Sequence, residues 1–577
     1  MTMVLVQDAA VDDTARVLAW HYAGDSRVVA WLAVIVLVAV LIALLVRARL
    51  PALEPLERLL ARRWVALAIG VITAFTFAYE WGTLEQLPLV HDEAAYLLQA
   101  RLFAAGRWTD SAPIPEFFEQ PHVLVTPRYA AKYPPGHALL LAPGMWFGTP
   151  GLVPVILLGI TGALLYALGR RVVSVWVGLF AWLVWLALAD GTTTFRPSYF
   201  SEISTEALWL LGWWALLRWR EDRRARWLLL LAAGIGWMAI TRPLTAVAFA
   251  IPVAIVVLVL VWRRRAWGQL GSACAVGIAI LAVIPLWSAR TTGSWRVSPL
   301  MLYTDQYMPY DVPGFGIRER APLREPSPEI ACFASVFGAE HRWHLPSSIP
   351  RNVVHRVRYV LAEAYDDRRH GLLLFAVLGI LASPIELGFA IATAALLVLA
   401  YTSYPHSPQW TVYYLETQPL LALLAAAGIW VVAGAAGRRW GRADRGEPRR
   451  SGAQLASWCL LALAVLSIPA TRSEARRVHH GKSIGDLPHR MFRHSVDSLP
   501  GRTIVFVRYA PGEACQQNLI ENDPPLARAR AWIVYDRGVD DGRLLRLAPD
   551  RAPYLFDAKR GTMTPLVLDT LAERNHR

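Results

Sequence analysis

WVALAIGVITAFTFAYEWGTLEQLPLVHDEAAYLLQARLFAAG, residues 64–106, sets the frame for the whole chain. Its first part, Trp64–Tyr79, is an apolar run without a formal charge. In hydrocarbon such a run is helical, because only a helix satisfies its own backbone there. Just past its outer end Asp92 and Glu93 stand side by side, opening the segment HDEAAYLLQARLFAAGRW that begins at His91. Leu98 and Leu102 lie one helical turn apart and Gly106 is a natural stop, so Glu93–Ala105 reads as a helix suited to lying on the membrane surface. A tandem acid pair at a membrane surface is costly to leave without a role. It is the strongest functional clue in the sequence.

The rest of the chain fits that frame. Of 577 residues, 55% are hydrophobic, too many for a soluble globular protein. The 25 tryptophans suit a polytopic membrane protein, whose interfaces favour indoles. A net charge of +14 would suggest nucleic acid in a soluble domain. Here the arginines gather in short bridges between apolar runs, as in cytoplasmic loops, so no nucleic-acid partner is expected. The first strong apolar run, Val28–Val46, follows an acid-containing leader and no cleavable signal peptide is read. The four cysteines have no metal-ligand spacing.

A helix needs about 20 residues to cross a core of roughly 30 Å, which gives about twelve spans. They cover 28–46, 64–79, 151–169, 172–189, 203–218, 226–241, 245–262, 267–288, 370–383, 385–402, 417–436 and 453–470. Arg47, Arg49, Arg58, Arg62 and Arg63 lie between the first two. Arg170-Arg171, RWREDRRAR, Arg263-Arg264-Arg265 and RRWGRADRGEPRR fall at every second later connection except the Ser383-Pro384 turn. The positive-inside rule puts these in the cytoplasm. Loops 80–150, 190–202, 289–369 and 403–416 and the tail after 471 are then exoplasmic. The expected organisation is a leader 1–27, a multi-span body 28–470 and an exoplasmic tail 471–577. Within the tail, 485–577 reads as a small α/β domain with strands in RTIVFVRYA and RAWIVYDRG and a further strand or hairpin in RLLRLAPDRAPYLFD. The fold class is thus an all-α polytopic membrane protein with a small C-terminal α/β domain.

Asp92 reads either as a helix N-cap, with Glu93 complementing the dipole, or as a general base at the interface. In RYAAKYPPGHALLLAPG the Pro134-Pro135 pair fixes an extended turn that gathers Arg128, Lys132 and His137 near the membrane surface. Three potential cations beside an acid pair could hold a phosphate, or anchor lipid headgroups. A second outward loop holds Arg196, with Glu202 and Glu206 on one helical face at the mouth of a span. Arg242, in the tight turn AITRPLTA, is either a snorkelling side chain or a phosphate ligand. His406, Trp410, Tyr413, Tyr414 and Glu416 make an aromatic outward loop, read first as an interfacial belt and second as a sugar platform. Cys332 and Cys515 both fall outside, and a bridge between them is expected.

An Asp-Glu pair just beyond a span, an amphipathic helix and then a Lys-x-Pro-Pro segment before the next span resembles the GT-C superfamily of glycosyltransferases. The resemblance is to the branch of the protein O-mannosyltransferases and lipid A aminoarabinose transferases, and its motif covers residues 91–137. It implies a polytopic enzyme using a polyprenyl-phosphate-linked sugar, with Asp92 as the catalytic acid, Glu93 as its acidic neighbour and Lys132 as a donor-phosphate contact. Ala94-Ala95 after the pair and His91 before it depart from side chains that some relatives carry there.

The expected activity is transfer of a hexose or pentose from a polyprenyl-phosphate donor to an acceptor hydroxyl on a lipid, glycan or protein. It would run on the exoplasmic face of the cell membrane with inversion and Asp92 as base, in contact with membrane lipids. No cofactor is required; a divalent metal shared by Asp92 and Glu202 is the one arrangement open to it. The rival readings are a transporter or flippase of lipid-linked saccharides, which needs ionisable groups deep within spans, and a non-catalytic assembly protein.

Overall fold

The computed structural model describes residues 24–48, 50–84, 87–187, 196–317, 320–365, 371–382, 384–440, 452–485, 487–509 and 518–566. The leader up to residue 23, Cys515 and residues 441–451 of the last arginine run lie outside the described residues.

Each of the expected spans falls on a helix. Among the described residues seven helices are long and apolar enough to cross a membrane: Arg63–Trp81, Leu152–Val172, Pro243–Arg264, Trp267–Thr292, Ile385–Ser403, Thr411–Trp440 and Gly452–Ile484. Leu32–Arg47, Val175–Leu186, Ala225–Ala239 and Gly371–Leu381 are apolar but shorter. The twelfth segment lies in Ser201–Asp222, 22 residues that bring Glu202 and Glu206 into the bundle. Apolar side chains such as Leu67, Phe75, Ile255 and Ile278 stand exposed along these helices, as hydrocarbon contact requires. Small residues close the bundle where helices meet. A Cβ on Gly428 would collide with the carbonyl of Phe375, so Gly371–Leu381 and Gln418–Trp440 can touch backbone to backbone.

The connections separate into two ends. At one, Arg170 donates to the carbonyl of Ala61 (2.8 Å), Arg264 to that of Arg220 (2.9 Å), and Arg220 pairs with Glu386 (3.3 Å). The arginine-bearing bridges and the Pro384 turn therefore sit together, as the alternation along the sequence requires. At the other end the long loops and the tail pack on one another.

The first loop contains a two-stranded ribbon, β1 (Val123–Leu124) antiparallel to β2 (Ala130–Ala131). The tail sheet comprises β3 (Thr503–Arg508), β4 (Ala531–Tyr535), β5 (Ala552–Asp557) and β6 (Thr562–Pro565), in the order β4-β3-β5-β6. β3 is parallel to both neighbours and β6 antiparallel to β5. Side chains alternate along β3, as strand geometry dictates. Ile504 and Phe506 face Ala95, Leu98, Phe117 and Phe118 of the first loop, while Val505 and Val507 face Phe492 and Val496. The tail domain and the first loop thus share one core, in which burying Phe506 is worth roughly 1.5–3 kcal/mol.

Three expectations change. The acid-bearing helix, His91–Ala104, does not lie on the membrane surface: His91, Glu93–Ala100 and Leu102 are all buried. Leu97 and Ala100 pack against Trp81, Leu141 and Val155, whereas Ala95 and Leu98 pack on the tail domain, so the helix is held between the two. Second, RLLRL contributes to the helix Asp541–Leu547 instead of a strand, and only Ala552–Asp557 of that stretch pairs. Asp541 lies in its first turn and accepts the Arg537 amide (2.9 Å). Third, the last apolar helix does not end near 470 but runs from Gly452 to Gly485. At 1.5 Å per residue, 34 residues reach about 51 Å, well beyond a bilayer core, and lead straight into the tail domain.

Candidate functional site

The site is built where the N-terminus of His91–Ala104 meets the base of the β1–β2 ribbon. Asp92 does not cap its helix. Val90 is the N-cap, and Glu93 supplies the capping carboxylate by accepting the amides of Leu89 (2.7 Å) and Val90 (3.3 Å). Its other oxygen accepts the Tyr199 amide (2.8 Å). Glu93, expected beside Asp92 in the chemistry, is buried and saturated by backbone donors.

Asp92 is left free for side chains. The Tyr133 hydroxyl donates to its Oδ1, and Nε2 of His122 stands 3.5 Å from its Oδ2. The Asp92 side chain is 34% exposed, against 2% for His122. Burial of the region would push its carboxyl up. His122, the Tyr133 hydroxyl and the Lys132 ammonium outweigh that and hold it well below the usual carboxylate range. His122 is itself pushed down by burial and then by Lys132. The ribbon sets this arrangement: the Lys132 amide donates to the His122 carbonyl (2.9 Å), so the two residues face each other across its base. His122 has a left-handed backbone (φ 67°), and Tyr303 donates no bond here but accepts the His122 amide at 3.0 Å.

Lys132 is buried, and its Nζ lies 4.7 Å from the Tyr303 ring centroid and 5.4 Å from that of Tyr133. It has no ion pair among the described residues. Burial lowers its pKa, with Asp311 and then Asp92 partly opposing. Such an ammonium, held over two rings next to an open carboxylate, is a seat for an anion.

The other expected cations go elsewhere. His137 is fully buried, with Nδ1 2.7 Å from Ser204 Oγ and Nε2 2.8 Å from the Tyr199 carbonyl. Burial pushes it down to about 4, and both of its ring nitrogens are engaged by the protein. Together with Glu93 it grips both sides of the Tyr199 peptide. Arg128 is exposed at the ribbon's tip, lining a hollow with Arg107 and Arg290 that Asp92 does not reach. Four residues of chain, at most about 13 Å when fully extended, separate it from Lys132 at the base of the ribbon.

Arg196, Arg242, Glu202 and Glu206 form a second, closed cluster at the same end. Arg196 pairs with Glu206 and lies over Trp185, whose Nε1 donates to Glu206 (3.1 Å). Arg242 pairs with Glu202, donates to the Tyr401 hydroxyl (2.6 Å) and lies 4.0 Å from Glu416. Tyr96 joins the two clusters by stacking on Tyr133 (4.7 Å) and donating to Ser201 (3.0 Å), which in turn donates to Glu202 (3.0 Å). In the aromatic loop, His406 Nε2 lies 3.0 Å from the Tyr414 hydroxyl, and Arg356 donates to the carbonyls of Tyr401, Tyr404 and His406. That loop is pinned from behind by an arginine, and Tyr413 lies across Arg242 (5.5 Å).

Sequence reasoning missed Tyr133, His122 and Tyr303 as partners of Asp92 and Lys132. Tyr133 lay inside the quoted RYAAKYPPG motif and could have been found there; His122 and Tyr303 have no local signal. Among the described residues no three His, Cys, Asp or Glu gather as metal ligands, and Glu202, the expected partner of Asp92 in a metal pair, is engaged by Arg242. Cys332 is disulfide-bonded, while Cys274 and Cys459 are free. The expected partner, Cys515, falls outside the described residues.

Residues 145–288 match the family model described as dolichyl-phosphate-mannose-protein mannosyltransferase. No curated protein matches the chain in sequence. Among solved structures, ArnT from Cupriavidus metallidurans bound to undecaprenyl phosphate is similar over 86% of this chain and 89% of its own, at 15% identity and a TM-score of 0.41. Its apo state aligns over 85% and 92%, at 14% identity and a TM-score of 0.44. The archaeal oligosaccharyltransferase AglB from Archaeoglobus fulgidus, in complex with an inhibitory peptide and a dolichol-phosphate, aligns over 86% and 69%, at 13% identity and a TM-score of 0.35. The loop motif at 91–137 and the matched spans at 145–288 are separate stretches that agree: the chain resembles the O-mannosyltransferase branch of the GT-C superfamily of membrane glycosyltransferases.

Proposed function

We propose that the protein transfers a sugar from a polyprenyl-phosphate-linked donor to an acceptor hydroxyl, with Asp92 as general base and Lys132 as the contact for the donor phosphate. The observation that carries this reading is the contrast in access and charge at the ribbon's base. Asp92 is ionised and one-third exposed, and Lys132 is a buried ammonium without an ion-pair partner among the described residues. The phosphodiester of the donor, and then the polyprenyl phosphate monoester that leaves, fits the place beside Lys132. The family match at 145–288 supplies the donor class.

In this scheme the acceptor hydroxyl hydrogen-bonds to Asp92 and attacks the anomeric carbon as the bond to the lipid phosphate breaks. The hydroxyl proton passes to Asp92, the leaving phosphate keeps the bonding electrons, and Lys132 stabilises its charge. Direct displacement inverts the anomeric centre. A carboxylate held so far down is a weak base at rest. An acceptor that displaces the Tyr133 hydroxyl from Oδ1 removes one of the bonds holding it down and so strengthens it where the reaction needs it. The Asp92 end faces away from the cytoplasm in this reading, because the arginine-rich connections collect at the opposite end. No step requires a metal.

The test is glycosyl transfer by purified Asp92→Asn protein against wild type, over a panel of polyprenyl-phosphate sugars. Loss of transfer with the fold intact supports the reading. Full activity in the variant sinks it, and transfer from no donor by wild type removes the enzyme itself.

A further inference from the structure

At the far tip of the same ribbon lies a cavity of about 570 Å³ that the proposed chemistry does not use. Arg107, Trp108, Pro127 and Arg128 of the first loop form one wall, and Arg290 and Gly293, at the end of the span Trp267–Thr292, form the other. Three guanidinium groups therefore meet where a membrane helix emerges. Arg107 is committed to Asp110 (3.1 Å), but Arg128 and Arg290 are exposed and have no ion-pair partner among the described residues. Like charges converge on one hollow only at an electrostatic cost, which an anion between them removes.

The surroundings say where that anion comes from. Trp108 packs edge-on against Phe103 and tilted against Trp287, so this wall is backed by aromatic rings. Trp146 (67%), Phe147 (72%) and Trp295 (62%) are exposed large side chains at neighbouring helix ends, the position of an interfacial belt. Trp146 is tied to this wall, donating to the Ala104 carbonyl at 3.0 Å. Arginine forks match phosphate oxygens, and the span places them at headgroup depth.

We infer that this hollow binds the phosphate of an anionic membrane lipid, a second phosphate site distinct from the one at Lys132. At most about 13 Å of extended chain separates Arg128 from Lys132.

The test is lipid binding by the purified full-length chain in neutral detergent, read by native mass spectrometry. The probes are dioctanoyl phosphatidic acid, dioctanoyl phosphatidylcholine and inorganic phosphate, against wild type, Arg128→Gln, Arg290→Gln and the double variant. Phosphatidic acid is expected to bind wild type, with affinity falling about tenfold for each single variant and further for the double. Both side chains are exposed and unpaired, so thermal midpoints should stay at the wild-type value. Equal binding by wild type and double variant overturns the site. Inorganic phosphate competing as well as the lipid overturns the membrane source. Because the readout is binding and neither residue touches Asp92, failure here leaves the transfer reading standing.

Discussion

Two acid–base clusters sit a few residues apart at one end of this bundle, and they are built on opposite principles. Around Glu202, Glu206, Arg196 and Arg242 every charge is matched inside the protein and all four side chains are at most 8% exposed. Around Asp92 the carboxylate is open to the outside and the nearest ammonium lacks an ion pair among the described residues. A cluster whose charges are paired with one another can hold helices together but has no free charge left to offer a substrate. An unsaturated one gives up stability for the ability to bind. Tyr96 connects them, so the closed cluster also fixes the geometry of the open one.

The sharpest way to break this comparison is to neutralise one charge in each. Asp92→Asn should reduce transfer by about 10²–10⁴-fold, the usual contribution of a positioned base, with the fold intact and a smaller loss of thermal stability than Arg242→Gln. Arg242→Gln should do the reverse. It leaves Glu202 buried without its cation, and breaking such a pair costs about 3–5 kcal/mol, visible as a lowered unfolding midpoint in detergent. Arg242→Gln combined with Glu202→Gln should recover part of that loss, because the carboxylate of the closest pair is removed with its cation and only Glu416 is left without Arg242. If the double variant is no more stable than the single one, the cluster is not a structural pair. Lys132→Met should act between these extremes, raising KM for the lipid-linked donor about tenfold or more while the fold stays intact. An unchanged KM would move the phosphate elsewhere.

Much of this architecture was legible because membrane burial imposes strong rules. Apolar runs such as Trp64–Tyr79 and arginine bridges such as Arg263-Arg264-Arg265 encode span and side directly, and the helices follow them. The position of Asp92 was legible too, since an acid beyond a span is rare. Its surroundings were less so. Neighbouring residues on a helix diverge in direction by about 100°, so Asp92 and Glu93 part company after one step: one turns to the ribbon, the other back to the amides of Leu89 and Val90. The Lys-x-Pro-Pro turn brings Lys132 beside Asp92, but Arg128 stands at the ribbon's tip, beyond the end of β2. His122 and Tyr303, 181 residues apart in the chain, arrive from other segments, and only tertiary packing brings them in. The tail domain's hold on the acid-bearing helix was equally hidden. His91 Nδ1 lies 3.0 Å from the Asn518 side chain, a contact across 427 residues.

The smallest expected effect is the most specific. Tyr133→Phe removes one hydrogen bond to Asp92 and leaves the ring stacked on Tyr96, so activity at neutral pH should change only a few-fold. The pH dependence should move. In the native protein the Asp92 carboxyl lies below its ordinary value of about 3.9, so the carboxylate is retained as pH falls and its stabilising contribution is lost only under strongly acid conditions. Without the Tyr133 hydroxyl the folded-state pKa rises toward that ordinary value. The acid limb of kcat/KM should shift to higher pH, and the variant should lose stability earlier on acidification, while the two proteins converge above about pH 6. A wild-type acid limb in Tyr133→Phe, with Asp92→Asn inactive, would mean that the phenol only positions the ring, and that His122 and Lys132 alone keep Asp92 ionised.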